Sequence, residues 1–443
     1  MELNVDEVIE RYVGSFGLPQ LLQVMLVSFA WVFDSQNTLV TIFTDAQPSG
    51  WRCKTSADPS LSSSWCMNNT ASGGDGNKGQ STGHVCGLAA GSWEWIGGNS
   101  ASTIAEWYLI CHRKFLAAIP TSLFFIGSII GCAFYGRLTD VWLVRKKTLL
   151  LACILTSTTT FLTSLAPNIW VYSLLQFANG FAHSGNGICC LVLSTEVVGR
   201  KWQDQVGQYG FFFFTAGVLS LPFIAYHTRT YWRYLYRIIS LPPLVYAFLL
   251  VSLVSESPCW LLVRGKNKEA LEVLQKFAST GNEGDKNESI WTTRWAAKRM
   301  ITMMLFGFGV GFIYYGIQLN AENLNFNPYL TVIINAALEI PAVFIGGILW
   351  GFTNRHLLSS LSPISAGVSC LLCIIFSFAS STTSSWPQLT IEAIASLSPL
   401  LVVVARLSPS LSFAVFGALA VVSGTISVWL PETKNAPLYE TSK

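Results

Sequence analysis

Charge is scarce in this chain. Asp, Glu, Lys and Arg make up 12% of its residues, against about a quarter in an average soluble domain, while 51% are hydrophobic. A large water-facing surface is excluded, and lipid is the main solvent. Neither sign of charge dominates: the formal net charge is +3 and the basic residues fall in short clusters, which argues against a nucleic-acid footprint. No Gly-x4-Gly-Lys-Ser/Thr loop occurs, so ATP is not the expected driving force. No metal-ligand spacing stands out, since Cys370 and Cys373 lie in an apolar run without a second pair. Gly307, Gly309 and Gly311 follow no strand and read as helix-contact glycines rather than a nucleotide loop. No nucleophile, base and orienter share a membrane face, so neither an enzyme nor a cofactor is expected. The acidic start, Met1 to Arg11, lacks the features of a secretory leader, which keeps the first apolar span in the mature chain.

What is present is a succession of apolar runs near the ~20 residues that cross a bilayer core. They fall at 20–44, 115–136, 147–166, 169–194, 206–228, 232–254, 300–320, 329–352, 357–380, 386–405 and 411–430, eleven in all. An all-α multi-pass membrane protein is expected. Residues 1–254 form a first bundle of six helices, 255–299 a basic central loop, and 300–443 a second bundle of five apparent helices.

Basic residues set the orientation. Arg145, Lys146 and Lys147, Arg200 and Lys201, and Arg355 occupy alternate short loops, whose partners after spans three, seven and nine hold no Lys or Arg. Those basic loops and the N-terminus are predicted to be cytosolic. The Ser/Gly-rich loop 45–112 then lies outside as a small subdomain. It holds Cys53, Cys66, Cys86 and Cys111, expected to form two disulfides with three pairings open, and a glycosylation sequon at Asn68. Eleven crossings leave the side of the C-terminus undecided.

Ionisable residues inside spans are the candidate functional groups, because a charge at bilayer depth costs about 2.5–3.5 kcal/mol on insertion scales. Asp34 in span one and Glu339 in span eight qualify as counter-ions or proton carriers. Tyr314, Tyr315, Gln318 and Asn320 follow one another along span seven, where aromatic faces and amides could line a cavity for an alkylammonium ion. His183 reads as a buried, hydrogen-bonded histidine, and Glu392 carries little weight.

The most informative stretch is Gly136 to Lys147, with a glycine for tight helix approach, Asp140, and the basic cluster Arg145-Lys146-Lys147. With Ser194-Thr195-Glu196-Val197-Val198-Gly199, Glu256-Ser257-Pro258-Cys259-Trp260, Glu106-Trp107-Tyr108-Leu109-Ile110-Cys111, Tyr314-Tyr315-Gly316, Glu339-Ile340-Pro341-Ala342 and Pro431-Glu432-Thr433-Lys434, it resembles the plant members of the organic cation/carnitine transporter family of the major facilitator superfamily. The resemblance implies two helical bundles and alternating access around a central site. It implies a small organic cation or the zwitterion carnitine as substrate, and a gating set of Gly136, Asp140, Arg145, Lys146, Glu196 and Glu256. Proton coupling stays open, as does the choice between plasma and vacuolar membrane.

The chain also departs from that pattern. The family carries arginine where Gln176, Gln203 and Cys259 stand, and glycine in place of Val144. About one helix hairpin is expected to be lacking between Leu397 and Ser398. Two readings follow: a secondary-active or facilitative transporter, or a transport-inactive, truncated or divergent member acting only through partners.

Overall fold

The computed structural model describes residues 17–48, 50–53, 86, 93–141, 143–198, 200–249, 253–263, 269, 273, 294–320, 327–352, 357–368 and 409–428. Helices dominate them. Leu18–Thr44 forms α1, with local breaks at Phe29 and Val40. It is followed by α2 (Ile119–Val141), α3 (Arg145–Thr163), α4 (Ile169–Thr195), α5 (Arg200–His227) and α6 (Trp232–Leu249). A short helix, Pro258–Val263, precedes α7 (Arg294–Asn320), α8 (Pro328–Phe352), α9 (Leu357–Val368) and α10 (Pro409–Ser427). Ten of the eleven expected spans thus coincide with helices. The run 386–405, Glu392 and the Cys370/Cys373 pair lie outside the described residues.

Hydropathy and packing explain each other. Among the described residues five helices are long and apolar enough to cross a membrane, including α1, most of α5 and most of α8. By contrast, α3 and α4 carry buried Thr156, Ser157, Thr160, Asn179 and Asn186 on their facing sides. Those groups are satisfied within the bundle: Thr160 donates to Asn37 Oδ1 at 2.7 Å, Asn186 to Thr156 at 3.3 Å, and Ser157 to the Ser240 carbonyl at 2.7 Å. In lipid each such group must find a protein partner, so α3 and α4 sit inside, against α1 and α6. The opposite faces stay apolar and exposed, as with Ile129 and Phe134 on α2 or Phe344 and Ile348 on α8, which suits acyl chains.

Helix ends follow local chemistry. Asn168 caps α4, its Oδ1 accepting from the amides of Trp170 and Val171 at 3.1 and 2.9 Å. Close crossing of α2 and α4 depends on Gly127, Gly131 and Gly180. A Cβ at Gly127 would strike the Phe177 carbonyl, and one at Gly180 the Phe124 carbonyl. Gly136 does not share this role: a Cβ there meets nothing within 4 Å among the described residues. Five residues beyond Gly131, it has rotated ~140° away from the crossing. Similarly, of Gly307, Gly309 and Gly311 in α7, Gly309 abuts another helix, at Ser423 of α10, whereas a Cβ at Gly307 or Gly311 meets nothing within 4 Å among the described residues.

Within the otherwise helical chain, the loop 45–112 contributes two short antiparallel strands, β1 (Trp51–Cys53) and β2 (Trp93–Trp95). Trp51, Trp95 and Ala105 form a small core beneath them. Cys86 is bonded to Cys111 at the entrance to α2. Cys66, Asn68 and the Cys53 side chain lie outside the described residues, so one of the two expected bridges is seen.

Candidate functional site

Two buried ionisable groups meet where α1 crosses α4. Asp34 and His183, 4% and 7% exposed, approach to 2.5 Å between Oδ1 and Nδ1. Phe124 of α2 stacks on the imidazole at 5.1 Å and 23°. The histidine is buried and hydrogen-bonded as expected, and its partner is the acid that sequence reading treated separately.

A set of aromatic faces adjoins this pair. Tyr315 of α7 lies 5.3 Å from Phe125 of α2 and within electrostatic reach of both Asp34 and Glu339. Tyr314 packs 5.3 Å from Tyr315 and 6.1 Å from Phe214 of α5, and Trp31 of α1 reaches Phe214 at 6.2 Å. Tyr314 donates to Glu339 Oε1 at 2.8 Å, while Glu339 Oε2 is buried without a hydrogen-bond partner. Gln318, one turn on, is 3% exposed; the Asn320 side chain lies outside the described residues. Asp34, Tyr314, Tyr315, Gln318 and Glu339 are therefore gathered around one region. Phe125, Phe214 and Trp31 join them without having been singled out, because aromatics at helical spacing usually signal core packing.

Toward the disulfide end, Asp45 closes α1 inside a hydroxyl cluster. It accepts from Tyr172 at 2.9 Å and Thr103 at 2.8 Å. Gln176, where the resemblance leads to an expectation of arginine, donates to the hydroxyls of Tyr172 and Tyr236 at 3.1 and 2.5 Å, while its Oε1 is buried without a hydrogen-bond partner. Nearby, Arg233 of α6 pairs with Glu106 at 2.9 Å. A cavity of about 150 Å³ at the same end, lined by Cys86, Cys111, Gln47 and Lys114, is below the ~300 Å³ of ordinary ligand sites.

The other end carries a charged latch. Arg145 pairs with Glu196 at 3.0 Å, and Glu196 also accepts from the Ser257 hydroxyl. Glu256 accepts from the Lys146 amide at 3.2 Å and the Ser257 amide at 3.0 Å. Trp260 locks the short helix to α2 through the Thr139 carbonyl at 3.0 Å. Burial pushes the Glu256 carboxyl above its ordinary value, against the opposing pull of the two amides and of Lys146 and Arg145. The Asp140 side chain lies outside the described residues, as does that of Cys259. Among the described residues no three His, Cys, Asp or Glu side chains converge to hold a metal.

The sequence matches the family described as Sugar (and other) transporter over residues 98–397. It is 36% identical to organic cation/carnitine transporter 3 of Arabidopsis thaliana and 35% identical to transporter 2, in each case over 99% of this chain and 92% and 93% of the relative. The chain belongs to the organic cation/carnitine transporter family. In fold it is similar to the E. coli xylose transporter XylE in a partially occluded inward-open conformation, with a TM-score of 0.60 at 15% identity, covering 95% of this chain and 99% of the other. This is the helical fold of the major facilitator superfamily, and the chain is a multi-pass membrane transporter, not an enzyme. As a member of the organic cation/carnitine transporter family it is short in one place or more: the alignment with the first Arabidopsis relative runs over 495 positions although this chain has 443 residues, so that relative holds at least 52 positions without counterpart here. The family match ends at residue 397, where sequence reading sets the junction between Leu397 and Ser398.

Proposed function

We propose that this protein moves small organic cations, with zwitterions such as carnitine as the second candidate class, across the plasma or vacuolar membrane by alternating access. The single observation that carries the reading is Glu339. It is a carboxylate at mid-helix, held by the Tyr314 hydroxyl at 2.8 Å, with one oxygen unpaired and two tyrosine rings beside it. A desolvated negative charge next to aromatic faces attracts an alkylammonium ion twice, by charge and by cation–π contact worth about 0.5–2 kcal/mol per ring. The names of the Arabidopsis relatives point to the same class.

The Asp34–His183 pair supplies a proton relay in this reading. It joins α1 to α4 within reach of Tyr315, so protonation there and cation binding at Glu339 are electrostatically linked. The latch of Arg145, Lys146, Glu196 and Glu256 stabilises one of the two states that alternation requires.

Uptake of radiolabelled phenethylamine, tetraethylammonium and L-carnitine into cells expressing this chain, normalised to surface-labelled protein at two external pH values, tests the reading. Saturable uptake of at least one solute is expected. Normal surface delivery with no uptake of any would overturn it and leave the transport-inactive alternative.

A further inference from the structure

Two buried acceptor atoms in the aromatic region have no hydrogen-bond partner, Glu339 Oε2 and Gln318 Oε1, and Gln36 Oε1 on α1 has none either. The orientation of both amides follows from their neighbours. Ser220 of α5 donates to the Gly217 carbonyl at 2.7 Å, so it can only accept from Gln36, whose Nε2 stands 2.8 Å away. The Tyr314 hydroxyl proton is committed to Glu339, so towards Gln318 beside it Tyr314 can only accept, which turns the Gln318 amide nitrogen to it. In each case the carbonyl oxygen is the atom left over. Gln36 and Gln318 are 5% and 3% exposed, and water does not reach these atoms.

Among the described residues the region lacks the complementary charge for an acidic substrate. Neither α1 nor α8 contains Lys or Arg, and those of α2, α5 and α7 stand in the terminal turns. His183 Nδ1 is engaged by Asp34. The region thus offers acceptors and aromatic faces, and among the described residues no basic side chain for a carboxylate.

We infer that the site selects ammonium ions that retain N–H donors, that is protonated primary to tertiary amines, over quaternary ammonium ions and over carnitine. A protonated amine places N–H groups on Glu339 Oε2 and the Gln318 carbonyl while its substituents meet Tyr314 and Tyr315. A quaternary ion satisfies the rings but leaves the acceptors dry, and sites built to hydrogen-bond a group reject the analogue lacking it far more strongly than pockets that sense shape alone. Carnitine adds a carboxylate for which the described residues of the region offer no counter-ion. The inference rests on the transport reading above and narrows it.

The test is a congener series of one shape and falling N–H count: phenethylamine, N,N-dimethylphenethylamine and N,N,N-trimethylphenethylammonium, with L-carnitine as a fourth substrate. The ratio of maximal rate to KM should fall by at least about tenfold from the primary to the quaternary member. In Gln318→Met the ratio of primary-amine to quaternary-ion uptake should shrink at least about threefold. Equal handling of the three congeners, preferred uptake of the quaternary ion or carnitine, or an unaltered preference in the variant overturns the inference while leaving the transport reading in place. Uptake of none of the four by surface-delivered protein overturns both.

Discussion

The Asp34 carboxylate on α1 and the His183 imidazole on α4 share one short hydrogen bond, 149 residues apart in sequence and sealed from above by the Phe124 ring. Cys132, Cys153, Cys190 and Tyr315 lie within electrostatic reach of Asp34. Asp34→Asn keeps the volume and an acceptor for His183 but removes the charge. Uphill accumulation of substrate should fall at least about tenfold and lose its pH dependence, while exchange of labelled for unlabelled substrate persists. Unchanged rate and pH profile would remove Asp34 from the coupling step.

Glu256 provides a pH-dependent stability test outside the spans. Its folded-state pKa is raised by burial, so the native state binds its proton more tightly than the unfolded chain. The associated stability is present below the unfolded value of about 4.3 and is lost as pH rises through the folded value. Glu256→Gln removes that loss while keeping one acceptor for the Lys146 and Ser257 amides. In a detergent melt the variant should gain relative to the parent as pH rises from ~4 to 7, and the gap should close at the acid end. A gap independent of pH would show that burial of the charge is not what matters.

Glycine positions separate packing from motif. Gly131→Leu drives a side chain into Phe181 and Ser184 of α4, and overpacking of this kind costs about 1–3 kcal/mol or more. Surface delivery should be lost. Gly136→Ala meets open space and replaces a poor helix former, so stability should hold or rise by up to ~1 kcal/mol. Loss of folded protein in Gly136→Ala would place an unseen neighbour against that residue.

These contrasts show what was legible in the sequence. The spans were, because helix length and apolarity are local properties, and so was the Arg145 to Lys147 cluster that begins α3. The meeting of Asp34 with His183 was not: each stood out as an ionisable residue in a span, but which faces of α1 and α4 meet depends on glycines far away in sequence. Gly136 was read as the close-approach glycine on motif grounds, whereas Gly127 and Gly131 are on the crossing face. Likewise, four cysteines in one loop leave three pairings open, and only the folded loop brings Cys86 to Cys111. Gln176 looked like a lost charge partner. In the fold it is one of several polar groups that together satisfy Asp45, Tyr172 and Tyr236.

Tyr329 gives a prediction about the conformational cycle. At the disulfide end its ring stacks on Phe43 of α1 at 5.1 Å and meets Tyr226 of α5 edge-on at 5.8 Å. Arg229 in turn lies 4.7 Å over Tyr226. The first residues of α8 are thereby clamped to the ends of α1 and α5, and α8 meets α5 again at its other end, where Gly347 rests against Gln208. Each aromatic pair contributes about 0.5–1.5 kcal/mol beyond burial, so removing two shifts a two-state equilibrium by about 1–3 kcal/mol, or 5- to 150-fold. Tyr329→Phe keeps both ring contacts and should transport like the parent. Tyr329→Ala should favour the state open at the disulfide end, binding external substrate more tightly while turnover falls, because the return step now climbs further. That split, lower KM with lower kcat, distinguishes a gate from a residue that touches substrate, whose loss would raise KM. Equal loss of transport in both variants would assign the effect to the Tyr329 hydroxyl and not to the clamp.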